Sequence, residues 1–173
     1  MALSVAYYMV GFREFTLLAV RDYFKNYLDL EPDQTQKLLT FVLLPWAVKI
    51  IYGLVADNIP ICGSRRKAYL ILSGTITFST MMVLASDRVK DPISVTLILM
   101  LSTTGIAMFE VVIDALMVVQ SRRDKEHGSE DLQSFSWGCL GIGGILGSLL
   151  AAFMTQNYHP KYCFFVSGLM GLV

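Results

Sequence analysis

Charge is scarce in this chain. Asp, Glu, Lys and Arg make up only 16% of its 173 residues, while 54% are hydrophobic, more apolar surface than a soluble core of this size can hide. The charges that are present cancel, with 14 Lys and Arg against 14 Asp and Glu. No basic surplus marks a nucleic-acid partner, and no acidic surplus marks a disordered tail. Histidine occurs only at His127 and His159, both in polar connections. Cys62, Cys139 and Cys163 are widely separated and share no CxxC or Cys/His spacing, so neither a disulfide framework nor a metal site is indicated. No nucleophile–base constellation or phosphate-binding loop is present, so neither a cofactor nor enzymatic activity is expected. Asn26, Asn58 and Asn157 lack a hydroxyl residue two places on, which leaves no glycosylation acceptor, and nothing reads as a cleavable secretory signal.

What the chain has instead is long apolar runs. A bilayer core needs about 20 mostly apolar residues per helix, and candidate spans cover residues 2–23, 38–55, 69–86, 93–119, 135–154 and 162–173. The last is too short to cross, so the chain reads as a fragment or a truncated gene product. Residues 1–173 are expected to form one all-α membrane domain. The loops alternate in charge. Asp29-Leu30-Glu31-Pro32-Asp33 is acidic, whereas Ser64-Arg65-Arg66-Lys67 and Ser121-Arg122-Arg123-Asp124-Lys125 are basic. Lys and Arg near span ends favour the cytoplasm, which puts loops 57–68 and 120–134 and the N-terminus inside. A soluble bundle would need polar stripes at helical period, and Leu97–Leu101 and Val111–Val119 carry none. The protein is therefore expected to be integral and multi-pass, and plasma and organelle membranes fit equally well.

Five charged residues lie well within these spans, Arg13, Glu14, Lys49, Glu110 and Asp114, while Arg21 and Asp22 lie nearer the outer end of the first. Each ionised group at mid-bilayer costs about 2.5–3.5 kcal/mol, so such residues face a bundle interior or a wet cavity. Glu14 and Arg21, seven apart, share a helix face, whereas adjacent Arg13 and Glu14 do not. Arg21, Asp22 and Lys25 belong at the outer interface, where a long stem lets charge reach water. Glu110 and Asp114 are four apart and stack on one face, where like charges in low dielectric resist joint ionisation. Such a carboxylate could take up a proton and couple it to solute movement, or either acid could simply pair with Lys49 or Arg13. Lys49, Gly53 and Asp57 recur every four residues on the second span, close to Trp46, and Pro45 interrupts that helix. Lys49 could attract an anionic solute or neutralise an acid on the first or fourth span.

The fifth span is rich in glycine. Gly143 and Gly147 form a GxxxG pair, and Gly144, Ser148 and Ala152 form a second small-residue ridge, both suited to close helix packing. A nucleotide site is not implied, because no strand precedes these glycines.

The pattern Gly53-x-x-x-Asp57, then Gly63-x-Arg65-Arg66-Lys67, resembles the loop signature between the second and third helices of the major facilitator superfamily. Leu44-Pro45-Trp46-Ala47-Val48-Lys49 through Asp57, the loop to Leu70, Asp114-Ala115-Leu116, and Asp131-Leu132-Gln133-Ser134 with Trp137-Gly138 and Gly144-x-x-Gly147-Ser148 are similar to the folate–biopterin transporter family. The resemblance runs from about Phe24 to Ala152. It implies the six-helix N-terminal half of a twelve-helix bundle: a secondary carrier for folate, pterin or a related organic anion, working by proton symport and alternating access. It also implies a substrate site between two six-helix halves, so a second half is an expected partner. On this reading Lys49 and Asp114, with Glu110, Glu14 and Arg13, serve substrate or proton, and Gly53, Asp57, Gly63, Arg65, Arg66 and Lys67 form a conformational latch. The alternative is a membrane sensor or scaffold that keeps the carrier fold without transporting.

Overall fold

The computed structural model describes residues 2–61, 66–121 and 128–171. Their order is α1 (Ala2–Asp22), a π-helical turn (Tyr23–Tyr27), α2 (Pro32–Ala47), α3 (Lys49–Asn58), α4 (Lys67–Ala85), α5 (Pro92–Ser121), α6 (Gly128–Asn157) and α7 (Pro160–Met170). Prolines open α2, α5 and α7, where a missing N–H costs nothing and the fixed φ suits the first helical turn. Asp91 precedes Pro92 and accepts hydrogen bonds from the Ser94 N–H at 2.9 Å and the Ser94 hydroxyl at 2.8 Å. These bonds, the backbone one foremost, hold the Asp91 carboxyl below the ordinary aspartate range. Asp29 and Asp87 adopt positive φ in the turns that end the first and third spans, a conformation aspartate tolerates.

The second span is broken. Pro45 has no N–H to give its helix, and the chain leaves helical geometry at Val48, with φ −97° and ψ 19°. The Ile51 N–H closes a tight turn onto the Val48 carbonyl at 2.9 Å, and α3 resumes from Lys49. The expected kink thus falls three residues beyond the proline, immediately before the lysine.

Five stretches are long and apolar enough to cross a membrane: Leu3–Tyr27, Pro32–Asn58, Lys67–Ala85, Pro92–Ser121 and Glu130–Asn157. The second and fifth run further than the apolar segments 38–55 and 135–154, because polar end turns continue the same helices. α7, at 11 residues, falls short of a crossing. α1 packs on α5, α6 and α7, α4 on α5 and α7, and α5 on α2 and α3. The interior is aromatic toward one end, where Val20, Tyr23, Phe24, Leu39, Met81, Leu99 and Phe164 meet, and a separate cluster forms around Tyr7, Val10 and Ile113. Outward positions such as Ile50, Ile71 and Leu97 are exposed at 79%, 71% and 61%, as lipid-facing residues are. Thr75, Thr96, Thr103 and Thr104 return their hydroxyls to carbonyls four residues back, which gives each of these four donors an acceptor within its own helix. The chain is an all-α, multi-pass integral membrane protein.

Glycine sets the closest contact. A Cβ on Gly143 would collide with the Tyr8 carbonyl, and one on Gly11 with the Leu140 carbonyl. At Gly147 it would lie 3.1 Å from the Phe12 carbonyl oxygen. The α1 and α6 backbones therefore touch along the Gly143–Gly147 face. Gly144 sits one step round, where a Cβ meets nothing nearer than 3.7 Å.

Candidate functional site

The break at Val48 delivers Lys49 to the middle of the bundle, opposite the face of α5 that carries Glu110 and Asp114. Lys49 Nζ lies 2.8 Å from Glu110 Oε2 and 3.8 Å from Asp114 Oδ2. The shorter contact is a close ion pair, with the lysine ammonium directly against Glu110 Oε2. The other oxygen of Asp114 is held from α1. The buried Tyr7 hydroxyl donates to Asp114 Oδ1 at 2.7 Å, with the Met117 sulfur 3.3 Å away. One carboxylate is thus shared between a phenol on α1 and an ammonium on α3.

One turn up α2, Trp46 lies between this group and a second pair. The guanidinium carbon of Arg13 is 4.2 Å from the centre of the Trp46 indole ring, and Lys49 Nζ is 4.9 Å from it. Arg13 Nη2 reaches Glu14 Oε1 at 3.4 Å. These neighbours, expected on different faces of α1, do meet. Cα–Cβ directions diverge at adjacent positions, but the arginine stem is long enough to carry its guanidinium round. Glu14 and Arg21 share no described contact, and Arg21 and Lys25 are exposed.

Arg13, Glu14, Trp46 and Glu110 line a cavity of about 670 Å³, closed on its far side by α6 through Trp137, Gly141, Gly144 and Ser148. Gly144 and Ser148 of the second small-residue ridge therefore border the cavity. A second cavity of about 440 Å³ is lined by Arg13, Trp46, Val20, Val42, Ser102 and Thr103 among others. The stacked Arg13 and Trp46 side chains border both.

Where α3 ends, Gly53, Asp57 and Arg66 line one small cavity against Val111, Val112 and Ala115 of α5. A Cβ on Gly53 would meet Val111 Cγ1 at 3.3 Å, so α3 and α5 run close there. The buried Tyr69 hydroxyl donates to the Ile59 carbonyl at 2.7 Å and ties the end of α3 to α4. Lys67 opens α4 and is exposed. Gly63 and Arg65 lie outside the described residues. Among the described residues, no group of three or more His, Cys, Asp or Glu could hold a metal ion.

Tyr7 was not legible as a site residue. The available signal is chemical, since a phenol in an apolar span needs a partner for its hydroxyl. Its position seven residues before Glu14, two helical turns, puts it on the charged side of α1.

Residues 10–173 match the model of the BT1 family. The chain is 36% identical over 160 residues to "Probable folate-biopterin transporter 4" of Arabidopsis thaliana, covering 91% of this chain and 33% of that protein. It is 27% identical over 173 residues to the "Folate-biopterin transporter" of Synechocystis sp., covering 100% of this chain and 35% of that one. "Folate transporter 1" of Plasmodium falciparum is 22% identical over 146 residues, covering 84% and 29%. The chain spans about a third of the length of the curated relatives it matches. No solved structure matches it.

Proposed function

The chain belongs to the BT1 family, the folate–biopterin transporters, and on that footing we propose that the whole protein carries folate, a pterin or a related organic anion across a membrane by alternating access, coupled to proton movement. The names of the relatives support the substrate class, and membership of a transporter family argues against an enzyme. The observation that carries the coupling is the charge group set inside the bundle. Arg13 and Lys49 supply two positive charges and Glu14, Glu110 and Asp114 three negative ones. The fully ionised group is one charge negative in a region where net charge is costly. A single proton brings it to neutrality.

Asp114 is the proposed proton acceptor. Its side chain is 46% exposed against 16% for Glu110, and Lys49 is the looser partner of Asp114 at 3.8 Å. Proton uptake by Asp114 would leave Lys49 with Glu110 and an uncharged group, so the ion pair could survive each cycle. Glu14 and Arg13 are proposed to face the solute from α1. Asp57 and Arg66, with Gly53 and Lys67 and with Gly63 and Arg65 of the same loop, are proposed as the latch that holds the inner ends together in one state. Residues 1–173 would form a single membrane domain with cytoplasmic loops 57–68 and 120–134. A second six-helix half would close the 670 Å³ cavity, because substrate sites of such carriers lie between halves near the midplane.

Uptake of labelled folate and biopterin into vesicles containing the whole protein, with and without an imposed proton gradient, tests this reading. Gradient-dependent accumulation supports it. Binding without flux at normal abundance would instead favour the sensor or scaffold.

A further inference from the structure

The cations of this site are not equivalent. Lys49 is committed to two carboxylates, at 2.8 and 3.8 Å. Arg13 has five N–H donors and one carboxylate contact among the described residues, a long one at 3.4 Å to its own neighbour in sequence. Its Nε is buried without an acceptor. A guanidinium left so little satisfied inside a membrane protein can be satisfied by the oxygens of an incoming anion, which its planar fork matches two at a time. It lies over an indole ring, at 4.2 Å from the centre, on the border of two adjoining cavities of about 440 and 670 Å³. Rotation of the guanidinium onto an anion would bare part of the Trp46 ring to whatever planar group the anion carries.

We propose that Arg13 and Trp46 set the specificity of the carrier, Arg13 binding a carboxylate of the substrate and Trp46 stacking against its planar heteroaromatic ring. This rests on the transport reading above and assigns the charged recognition to Arg13, leaving Lys49 to the proton-linked group. A substrate with both features gains from both side chains. A ring without a carboxylate gains only from Trp46.

Folate and biopterin separate these contributions, since both carry the pterin ring and only folate carries carboxylates. Half-saturation would be measured for each in vesicles containing the full protein, normalised to surface abundance. Arg13→Gln also changes the charge group and so acts on both compounds, and it is expected to raise the folate value by about ten-fold more than the biopterin value, the loss of one charge-assisted hydrogen bond. Trp46→Leu is expected to raise both, and Trp46→Phe, which keeps a ring, to restore most of the loss. If Arg13→Gln does not reach the membrane, Arg13→Lys makes the same comparison, because it keeps the charge but not the fork. Equal shifts for the two compounds, or an unchanged folate value, would overturn the proposal while leaving the transport reading standing. Uptake of neither compound by the unaltered protein would overturn both.

Discussion

Replacing Gly143 with alanine puts a methyl group where the Tyr8 carbonyl oxygen already lies. That oxygen is main chain and cannot rotate away, so α1 and α6 must separate, and packing is lost along the Gly143–Gly147 face. Overpacking of this kind costs about 1–3 kcal/mol, and a clash with backbone belongs at the upper end. Against it stands the gain in helix propensity from glycine to alanine, about 0.8–1 kcal/mol. The net expectation is destabilisation by about 1–2 kcal/mol. Gly11→Ala faces the same obstacle from the other side, at the Leu140 carbonyl. Gly141 provides the control, because a Cβ there meets nothing within 4 Å and only the propensity gain applies. Gly144→Ala should be close to neutral, its nearest contacts being ordinary ones at 3.7 and 3.9 Å. Thermal midpoints of the four purified variants in detergent should therefore rank Gly141→Ala at or above the unaltered protein, Gly144→Ala near it, and Gly143→Ala and Gly11→Ala below. Equal midpoints for Gly143→Ala and Gly141→Ala would refute the close approach of α1 and α6.

Lys49→Met should lower abundance and stability, by up to about 3 kcal/mol, because it strands Glu110 and Asp114 without their cation. Adding Glu110→Gln should recover much of the loss, and a double variant no better than the single would sever the pairing. Asp57→Asn should slow turnover while shifting half-saturation by no more than about two-fold; unchanged turnover at normal abundance would remove the latch role. Asp91 carries a pH signature. Its carboxyl sits below the ordinary value, so its bonds to Ser94 protect the start of α5 above the unfolded value, near 3.9, and are lost as pH falls through the folded one. Amide exchange at Ser94 and Val95 should rise on acidification in the unaltered protein. It should be independent of pH, once intrinsic exchange is corrected for, in Asp91→Asn.

The spans were legible because length and apolarity decide them, and Leu97–Leu101 or Val111–Val119 admit little else. The five intramembrane charges were legible for the same reason, since a costly residue announces itself. Their pairing was not. Whether Lys49 would meet Glu110, Asp114 or Glu14 depends on how α3 turns after Val48, and that turn lies three residues beyond the proline that foreshadows it. The contact of Arg13 with Glu14 escaped a rule built on Cβ directions, because it depends on side-chain reach. The GxxxG pair pointed to a close helix contact. Its counterpart, Gly11, lies alone in α1 and carries no pattern of its own.

The central claim is that a proton on Asp114 drives net movement of the solute. It is tested most directly by comparing two modes of transport in Asp114→Asn. Proton-driven accumulation of labelled folate requires the carboxyl to load and release a proton, whereas exchange of labelled for unlabelled folate across the membrane requires only that the site alternate. With asparagine standing for the protonated state, accumulation should be abolished and exchange retained. Accumulation that persists under a proton gradient in Asp114→Asn, at normal abundance, would contradict the account.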